Sequence, residues 1–400
     1  MRQYFNASEE DYAIIFTANA TGALRIVAEH FPFAADQRFV LTTDNHNSVN
    51  GITAFAKRAG TEITRIPLTT PDLRLNCTAV SEALQTQGGK SAGLFALPAQ
   101  SNFSGVRHPL DIVNEAQNKG WKVLLDAAAF APTNKLDLSR IKPDFVSISF
   151  YKIFGYPTGI GCLIAKHSAI ADWKTKWPAG GTVRLASVVA DDYREAPGVA
   201  AFEEGTVDFL MIPAVQIGLE YINQIGIETI NTRVRCLTDW TLKQMTSMKH
   251  HSGRPLVNIM GPTTTADRGG TIAFSLADSS GKILDFQRVN ELAARQGLAL
   301  RTGCFCNPGA GEAAFGITAA MLKPLFQQDQ DISFASIRLA LQKAYGLDIG
   351  ALRASYGIAS NFSDAWRLCQ FLKRFLNKNK ADIEASIGQP GMNMDLDFGA

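Results

Sequence analysis

Short apolar runs alternate with amphipathic stretches through the first 165 residues of the chain. The runs predict strands and the stretches predict helices, because helices repeat their apolar positions every three to four residues. Predicted strands cover residues 13–17, 38–43, 92–98, 121–126, 144–149 and 161–165. Predicted helices cover residues 20–31, 48–60 and 109–119. Apolar strands separated by helices are typical of a parallel sheet with crossover helices.

The pattern changes after residue 212, where a long helical stretch is predicted over 213–248. Further strands are predicted at 270–276, 298–302 and 352–358, and further helices at 285–297, 334–345 and 363–376. We therefore predict a large domain over 1–212, linking helices over 213–250, a smaller C-terminal α/β domain over 251–378 and a disordered tail over 379–400. The predicted fold class is α/β, with a mostly parallel central sheet and helices on both faces.

Composition and charge narrow the classes of function. Of the 400 residues, 39 are basic and 37 acidic, and this balance gives no support for a nucleic-acid or membrane-surface partner. No apolar run approaches the roughly 20 residues of a spanning helix. Six cysteines do not make a disulfide framework, and the polar first residues are unlike a signal peptide. We therefore expect a cytoplasmic protein.

Polar residues that follow the predicted strands are the first candidates for chemistry, because open α/β sheets bind ligands at the carboxyl ends of their strands. Thr21 lies where the first helix begins, and backbone N–H groups favour an anion there. His46 follows the second strand and could cover a planar ligand, and Asn102 follows the third and could donate to a ligand oxygen. Taken alone, Thr21 also fits a helix cap, His46 an ordinary loop histidine and Asn102 a turn residue.

An acid and a lysine follow the next two strands. Asp126 ends an apolar strand, where a carboxylate is costly unless it has a partner such as a protonated ring nitrogen. Ser149 ends the following strand, and Lys152 comes three residues later. Burial beside Asp126 would lower the pKa of Lys152 and make its amine nucleophilic toward a carbonyl; a surface salt bridge is the alternative for Lys152 alone. Taken together, these residues occur in the order that a phosphorylated pyridine aldehyde requires.

Eight segments carry a resemblance to a known family: FTANATGAL (16–24), TDNHNSV (43–49), QSNFSGVRHPL (100–110), LLDAAAF (124–130), SISFYKIFGYPTGIG (147–161), FEEGTVDF (202–209), LRTGCFCNPGA (300–310) and RASYGIASNF (353–362). They resemble the class V aminotransferase and cysteine desulfurase family of fold-type I pyridoxal 5′-phosphate (PLP) enzymes. Within that family, LRTGCFCNPG is most similar to the desulfurase domain of molybdenum cofactor sulfurases. The resemblance implies the fold-type I architecture and PLP as the cofactor.

The resemblance also implies roles for single residues. Thr21, Ser149 and, across a dimer interface, Thr206 would hold the phosphate. His46 would stack on the ring, Asn102 would bond its hydroxyl and Asp126 its nitrogen, while Lys152 would form the Schiff base. Tyr151 stands where many relatives carry a histidine, and its phenol can still donate to the phosphate. Ala129 stands where many relatives carry a glutamine, so one contact to the cofactor is removed.

The implied reaction moves sulfur from L-cysteine to an enzyme thiol as a persulfide and releases alanine. Cys306 matches the persulfide-forming cysteine, and Arg353 matches the arginine that binds the substrate carboxylate. Gly303, Asn307 and the residues that follow are typical of a mobile, accessible loop around a reactive thiol. A buried apolar pair is the alternative for Cys304 and Cys306. No zinc site is predicted, because no second close pair of Cys or His supplies the remaining ligands.

Two other readings and several expectations about partners accompany this hypothesis. The chain could be a PLP-dependent lyase, epimerase or aminotransferase acting on another amino acid, or a degenerate non-catalytic homologue. A homodimer is expected, together with a protein or a cofactor as sulfur acceptor. The family normally carries some tens of residues before the first strand, and full cofactor sulfurases continue into a β-rich (MOSC) domain. We therefore expect a missing N-terminal segment and a separate partner for any direct sulfuration of that cofactor.

Overall fold

The computed structural model describes residues 1–85, 88–156, 158–328 and 332–385. Its strands are β1 (Tyr12–Thr17), β2 (Gln37–Thr42), β3 (Glu62–Ile66), β4 (Leu68–Thr69), β5 (Arg74–Leu75), β6 (Ser91–Pro98), β7 (Lys122–Asp126), β8 (Phe145–Ser149), β9 (Gly161–Lys166), β10 (Val183–Ser187), β11 (Asp192–Glu195), β12 (Val257–Met260), β13 (Thr271–Leu276), β14 (Arg301–Gly303) and β15 (Ala351–Ser355).

The helices are α1 (Arg2–Phe5), α2 (Ala20–His30), α3 (Asn47–Asn50), α4 (Thr53–Arg58), α5 (Cys77–Ala83), α6 (Ile112–Asn118), α7 (Phe150–Phe154), α8 (His167–Ile170), α9 (Ile212–Ile225), α10 (Ile227–Ser247), α11 (Phe286–Arg295), α12 (Pro308–Phe315), α13 (Ala319–Gln328), α14 (Phe334–Tyr345), α15 (Phe362–Lys373) and α16 (Lys380–Ala385). None of the helices in the described ranges is long and apolar enough to span a bilayer.

A seven-stranded sheet forms the centre of the molecule, in the order β1-β9-β8-β7-β6-β2-β3. Strands β2, β3, β6, β7 and β8 pair in parallel, whereas β9 runs antiparallel to both of its neighbours, β8 and β1. The prediction of a mostly parallel sheet is therefore confirmed, with β9 as the exception. Because β1 and β8 both oppose β9, their carboxyl ends reach the same edge of the sheet.

Alternating side chains of the sheet contribute to two separate apolar layers. In β6, Leu94 and Ala96 pack into a layer that includes Leu24 of α2, whereas Phe95 and Leu97 pack into the layer on the opposite face. All four of the β6 side chains are fully buried. Because successive strand residues point to opposite faces, the apolar residues 94–97 must be covered by other elements on both sides of the sheet. Helices accordingly lie on both faces, as predicted.

The smaller C-terminal unit contains a four-stranded antiparallel sheet in the order β12-β13-β15-β14. Helices α11 and α15 supply buried residues such as Val289 and Leu368 to the core shared with this sheet. The sheet brings β14 and β15 together, and residues 301 and 353 are opposite each other in their register. It therefore sets the positions of two arginines that lie near the site described below.

Several elements differ from the sequence prediction. The stretch predicted as one helix over 213–248 is two helices, because Gly226 between α9 and α10 has a left-handed φ of 87°. The helix predicted at 48–60 divides into α3 and α4, and the strand predicted at 298–302 begins only at Arg301. The predicted tail 379–400 starts with helix α16, which corrects the prediction of disorder for its first residues, and residues 386–400 lie outside the described ranges.

Candidate active site

The carboxyl ends of β6, β7 and β8 lie side by side and bring three of the predicted residues together. Pro98 of β6 is opposite Asp126 of β7, and Asp126 is opposite Ser147 of β8. The loop after β6 carries Asn102, and helix α7, which starts directly after β8, carries Lys152. Because adjacent parallel strands end at one edge, residues far apart in sequence meet there.

Asp126 is a buried carboxylate with one oxygen held in place. Its Oδ1 accepts hydrogen bonds from the Ser147 hydroxyl at 2.7 Å and from the Ala128 backbone N–H at 3.0 Å. Only 8% of the residue is exposed, and none of the described residues donates to Oδ2. The carboxylate is thus oriented on one side and keeps an acceptor oxygen for a further donor.

Lys152 lies among charged groups from both sheets. Burial lowers the pKa of its amine, and the Asp126 carboxylate opposes this effect by raising it. Arg353 and Arg301 lower the pKa of Lys152 further, whereas Cys306 raises it. The result is a pKa below the ordinary value of a lysine, which makes more of the neutral, nucleophilic amine available.

His46 forms a polar chain with the turn at the start of α2. Its Nδ1 accepts a hydrogen bond from the Ser48 backbone N–H at 3.1 Å, and the Ser48 hydroxyl lies 2.8 Å from the Thr21 hydroxyl. Burial lowers the pKa of His46, the Asp126 carboxylate raises it and Lys152 lowers it again. An imidazole with its Nδ1 used as an acceptor and a lowered pKa is neutral, with its proton on Nε2.

The loop after β14 carries Cys306 to the edge of the large sheet. The Cys306 carbonyl accepts a hydrogen bond from the Asn47 N–H at 2.7 Å, and the Phe305 carbonyl accepts one from the Asn102 amide at 2.7 Å. Phe305 and Cys306 have φ values of 52° and 59°, in the left-handed region that side chains rarely adopt. Cys306 is exposed, whereas burial and then the charge of Glu312 raise the pKa of Cys304 to about 11.

Arg353 connects the smaller sheet to the large domain. It donates to the Asn102 carbonyl at 2.6 Å, and its guanidinium lies 4.8 Å from the centre of the Phe305 ring. Burial, followed by the neighbouring Arg301, lowers its pKa to about 10, while Cys306 and Tyr151 raise it. No described carboxylate forms an ion pair with Arg353, and its buried Nε has no partner. Such a guanidinium is suited to bind an incoming carboxylate.

The remaining predicted residues lie at the border of this cluster. Ser149 ends β8 and is buried, whereas Tyr151 in α7 is nearly half exposed. Thr206 is exposed in the loop before α9 and lines a cavity of about 320 Å³ together with Thr17 and Gly22 of the first turn. The structure contains one chain, so the predicted contact of Thr206 across a dimer interface stays a prediction.

A buried network that the sequence analysis did not assign supports the Cys306 loop. Asp44 is fully buried, and its Oδ2 accepts a hydrogen bond from His108 Nε2 at 2.8 Å. Its Oδ1 accepts bonds from the Ser101 hydroxyl at 2.7 Å and from the Asn307 amide at 3.0 Å. Asn307 was predicted to belong to a mobile loop, but it is 1% exposed and is fixed to the loop after β2.

Two further residues were missed. Ser48 contacts both His46 and Thr21, and it lies within the run TDNHNSV that the sequence analysis singled out. Arg301 is opposite Arg353 in the smaller sheet and lies in the run LRTGCFCNPGA. Both could have been found as polar residues in the same sequence runs as His46 and Cys306. His108 also lies in a quoted run, QSNFSGVRHPL, but its contact with Asp44 could not be predicted, because it depends on how the loop after β6 folds.

Comparison with known proteins places the chain among established relatives. The family model described as Aminotransferase class-V matches residues 1–364. The molybdenum cofactor sulfurase of Bos taurus is 34% identical over 412 residues, which cover 97% of this chain and 45% of the relative. The molybdenum cofactor sulfurase of Solanum lycopersicum is 32% identical and covers 92% of this chain and 48% of the relative. The chain spans about half the length of these curated relatives.

Solved structures share the fold. A cysteine desulfurase from Thermococcus onnurineus NA1, in its apo form, superimposes with a TM-score of 0.75 at 20% identity, over 94% of this chain and 81% of that one. A mutant of C-DES with glycine covalently linked to its PLP cofactor superimposes with a TM-score of 0.70 at 18% identity, over 94% of this chain and 83% of that one. These similarities confirm the predicted fold-type I architecture.

Proposed function

The chain belongs to the aminotransferase class V family, and from this premise we propose that it is a PLP-dependent, cysteine desulfurase-like enzyme. In this proposal it transfers the sulfur of L-cysteine to Cys306 and releases alanine. The observation that carries the proposal is the position of Lys152, which is half-buried in α7 directly after β8. It lies close enough to Asp126, Arg353 and Cys306 for their charges to affect its pKa. A lysine, an acid, a thiol and a carboxylate-binding arginine around one site match the requirements of this reaction.

The residues present fit PLP. Asp126 offers the free oxygen Oδ2 to a ring nitrogen, and neutral His46 offers an aromatic face with one ring nitrogen already bonded to Ser48. Thr21 and Ser149 place hydroxyls at the starts of α2 and α7, and the first turn of α2 also supplies backbone N–H donors for a phosphate. Bound PLP supplies an electron sink for amino-acid chemistry.

Lys152 is proposed to hold the cofactor covalently and then to act as the proton carrier. Its lowered pKa leaves the Nζ amine unprotonated in a larger fraction of molecules, so the amine can accept the substrate Cα proton. In protonated form it can deliver a proton to the carbon that the sulfur leaves. The neighbouring Asp126 raises the pKa of this amine and so favours its protonated form.

Cys306 is proposed to accept the sulfur. Its thiolate attacks the substrate sulfur, a sulfur–sulfur bond forms and the substrate carbon–sulfur bond breaks. The balance is one L-cysteine and one Cys306 thiol giving one Cys306 persulfide and one alanine, with no external oxidant or reductant. The backbone hydrogen bond from Asn47 to the Cys306 carbonyl keeps this residue beside the loop that carries His46.

Arg353 is proposed to bind the substrate carboxylate. Its guanidinium is partly buried, is fixed by the Asn102 carbonyl and has no carboxylate partner among the described residues. A guanidinium can bind a carboxylate with two parallel hydrogen bonds, which fixes the orientation of the substrate. Arg301, directly opposite in β14, adds positive charge at the same place.

The test is to add L-cysteine to the purified, PLP-loaded protein and to measure alanine and protein-bound persulfide. We expect alanine from the wild type and no persulfide from Cys306→Ala. Cys236→Ala is the matched control, because Cys236 is also an exposed thiol but lies on α10, and it should behave as the wild type. Absence of alanine from the wild type would refute the proposal. Full activity of Cys306→Ala on another amino acid would favour a PLP-dependent lyase, epimerase or aminotransferase.

Partners and location complete the proposal. We propose a homodimer in the cytoplasm, with Thr206 contacting the cofactor phosphate of the second copy. Large apolar side chains are exposed around the β10–β11 hairpin and the start of α9, including Val188, Val189 and Leu210, and a second copy would cover them. The sulfur would then pass from Cys306 to an acceptor protein or cofactor.

A further inference from the structure

A polar cavity of about 240 Å³ lies between the large domain, helix α10 and the segment before β13. Three arginines line it, Arg107, Arg235 and Arg268, together with a single acid, Asp267. None of the residues assigned above to the cofactor, the thiol or the substrate is part of its lining. The lining therefore carries three positive side chains against one negative side chain.

Arg268 is the most buried of the three arginines. Only 4% of the residue is exposed, and burial, followed by the charge of Arg74, lowers its pKa to about 10, with Asp72 opposing part of this effect. Its guanidinium donates to the carbonyls of Pro262, Ser104 and Thr271, but no described carboxylate forms an ion pair with it. A buried charge without a counter-charge is costly, and an anion in the cavity would supply that counter-charge.

The other two arginines also retain binding capacity. Arg107 donates to the Asn134 side chain at 3.1 Å, and its buried Nε has no partner. Arg235 is exposed on α10, and within the described part of the chain no carboxylate pairs with it. The acid does not neutralise the group, because the Asp267 side chain is 76% exposed and its carboxylate lies 4.0 Å from Arg74.

From this arrangement we infer that the cavity binds a small oxyanion of the phosphate or sulfate class. Guanidinium groups bind such anions through paired, charge-assisted hydrogen bonds, and three of them line this one polar cavity. The lining also contains the hydroxyl-bearing residues Thr133 and Thr265. The cavity volume is several times the share of one water molecule in the liquid, about 30 Å³, so a tetrahedral anion has room.

An anion bound in this cavity would also affect how the loop after β6 is held against the segment before β13. Arg268 donates to the Ser104 carbonyl at 2.9 Å and forms a β-bridge with Val106, so it links the loop that follows β6 to the segment before β13. The same loop carries Asn102 at its start. A bound anion would therefore strengthen the seam between the two domains next to the cofactor loop.

The experiment is calorimetric titration of inorganic phosphate, and separately of sulfate, into the PLP-loaded protein at an ionic strength fixed with chloride. The bound cofactor occupies its own phosphate site, and no L-cysteine is present. We expect one saturable site per chain for at least one of the two anions. Arg235→Gln should weaken this binding by about tenfold or more, equivalent to one charge-assisted hydrogen bond.

Arg233→Gln is the matched control. It removes the same charge from the same helix at an exposed position that does not line the cavity, and it should leave the affinity unchanged. Both variants should retain the wild-type circular dichroism and cofactor absorbance. The inference is overturned if neither anion shows a saturable site, or if the two variants weaken binding equally. Because no reaction is measured, this outcome is independent of whether the desulfurase proposal holds.

Discussion

At the scale of single residues, burial shifts the pKa values of Lys152 and Cys304 in opposite directions. It lowers the pKa of Lys152, so this amine becomes more available as a nucleophile near neutral pH. It raises the pKa of Cys304 to about 11, so this thiol becomes less available. Cys306, by contrast, is exposed to solvent. Of the two neighbouring thiols, only Cys306 therefore suits the role of nucleophile.

The first prediction concerns covalent attachment of the cofactor. Lys152→Ala should abolish it, because Lys152 is the lysine beside Asp126. Borohydride reduction followed by mass spectrometry should find the PLP adduct on the wild type and none on the variant. Lys166→Ala is a demanding control, since burial also lowers the pKa of Lys166, which ends β9. An adduct that disappears in Lys166→Ala but persists in Lys152→Ala would contradict the assignment.

The second prediction concerns the reactivity of the thiols. At pH 8 a thiol of pKa about 11 is ionised in about one molecule in a thousand, so brief alkylation should leave Cys304 unmodified. The exposed residues Cys77, Cys236 and Cys306 should be modified. Peptide mass spectrometry measures each site, and labelling of Cys304 should increase as the pH is raised toward 11. Modification of Cys304 as fast as Cys77 at pH 8 would be inconsistent with its burial.

At the scale of elements, loops after different strands hold one another in place. Asp44 follows β2, Ser101 and His108 belong to the loop after β6, and Asn307 directly precedes α12. Gly309, in the same helix, approaches the Thr43 carbonyl so closely that a Cβ atom there would be 2.3 Å from the oxygen. The Cys306 loop therefore has a fixed attachment to the large sheet, although its thiol is exposed.

The third prediction tests this attachment. Asn307→Ala removes two hydrogen bonds to Asp44 and should lower the free energy of unfolding by about 1–3 kcal/mol. Persulfide formation at Cys306 should slow while cofactor absorbance persists. Asn258→Ala is the control, because the Asn258 side chain makes one long contact of 3.5 Å in the smaller sheet. Equal effects of the two variants in denaturant unfolding and in persulfide formation would show that the attachment is not specific.

The elements also show which parts of the structure the sequence could predict. Strands such as β6 and β9 were predictable because each contains a short apolar run, and the resemblance to the family is confirmed by the family-model match. The antiparallel direction of β9 could not be predicted, because an apolar run has the same composition in either direction. The Asp44–His108 contact was also out of reach, since it joins residues 64 positions apart through a loop whose path depends on tertiary packing.

At the scale of the whole molecule, the candidate site draws residues from elements of both the seven-stranded and the four-stranded sheet regions. Arg353 and Cys306 come from the smaller unit, whereas Lys152 and Asp126 come from the large sheet. The hydrogen bond from Arg353 to the Asn102 carbonyl joins the two units at the site itself. Any change in the angle between the units would therefore alter the distance between the proposed thiol and the proposed cofactor position.

The last prediction concerns assembly. The side chains of Val188, Val189 and Leu210 each expose apolar surface to solvent, and Leu210 lies four residues after Thr206. If a second copy covers this surface, wild-type protein should sediment as twice the 43.4 kDa chain. Leu210→Glu would bury a charge in the interface, so we expect it to sediment as a monomer and to bind PLP more weakly. The weaker binding follows because Thr206 of the second copy would no longer reach the phosphate.

Leu339→Glu provides the control for this prediction, because Leu339 is an exposed leucine that belongs to another element, α14. It should remain a dimer with unchanged PLP affinity. The two measurements separate two proposals. If Leu210→Glu is a monomer with full PLP affinity, the proposal of a homodimer is supported, but the proposal that Thr206 of the second copy binds the phosphate is refuted. A wild type that sediments as a monomer and still binds PLP would instead show that one chain completes the site alone.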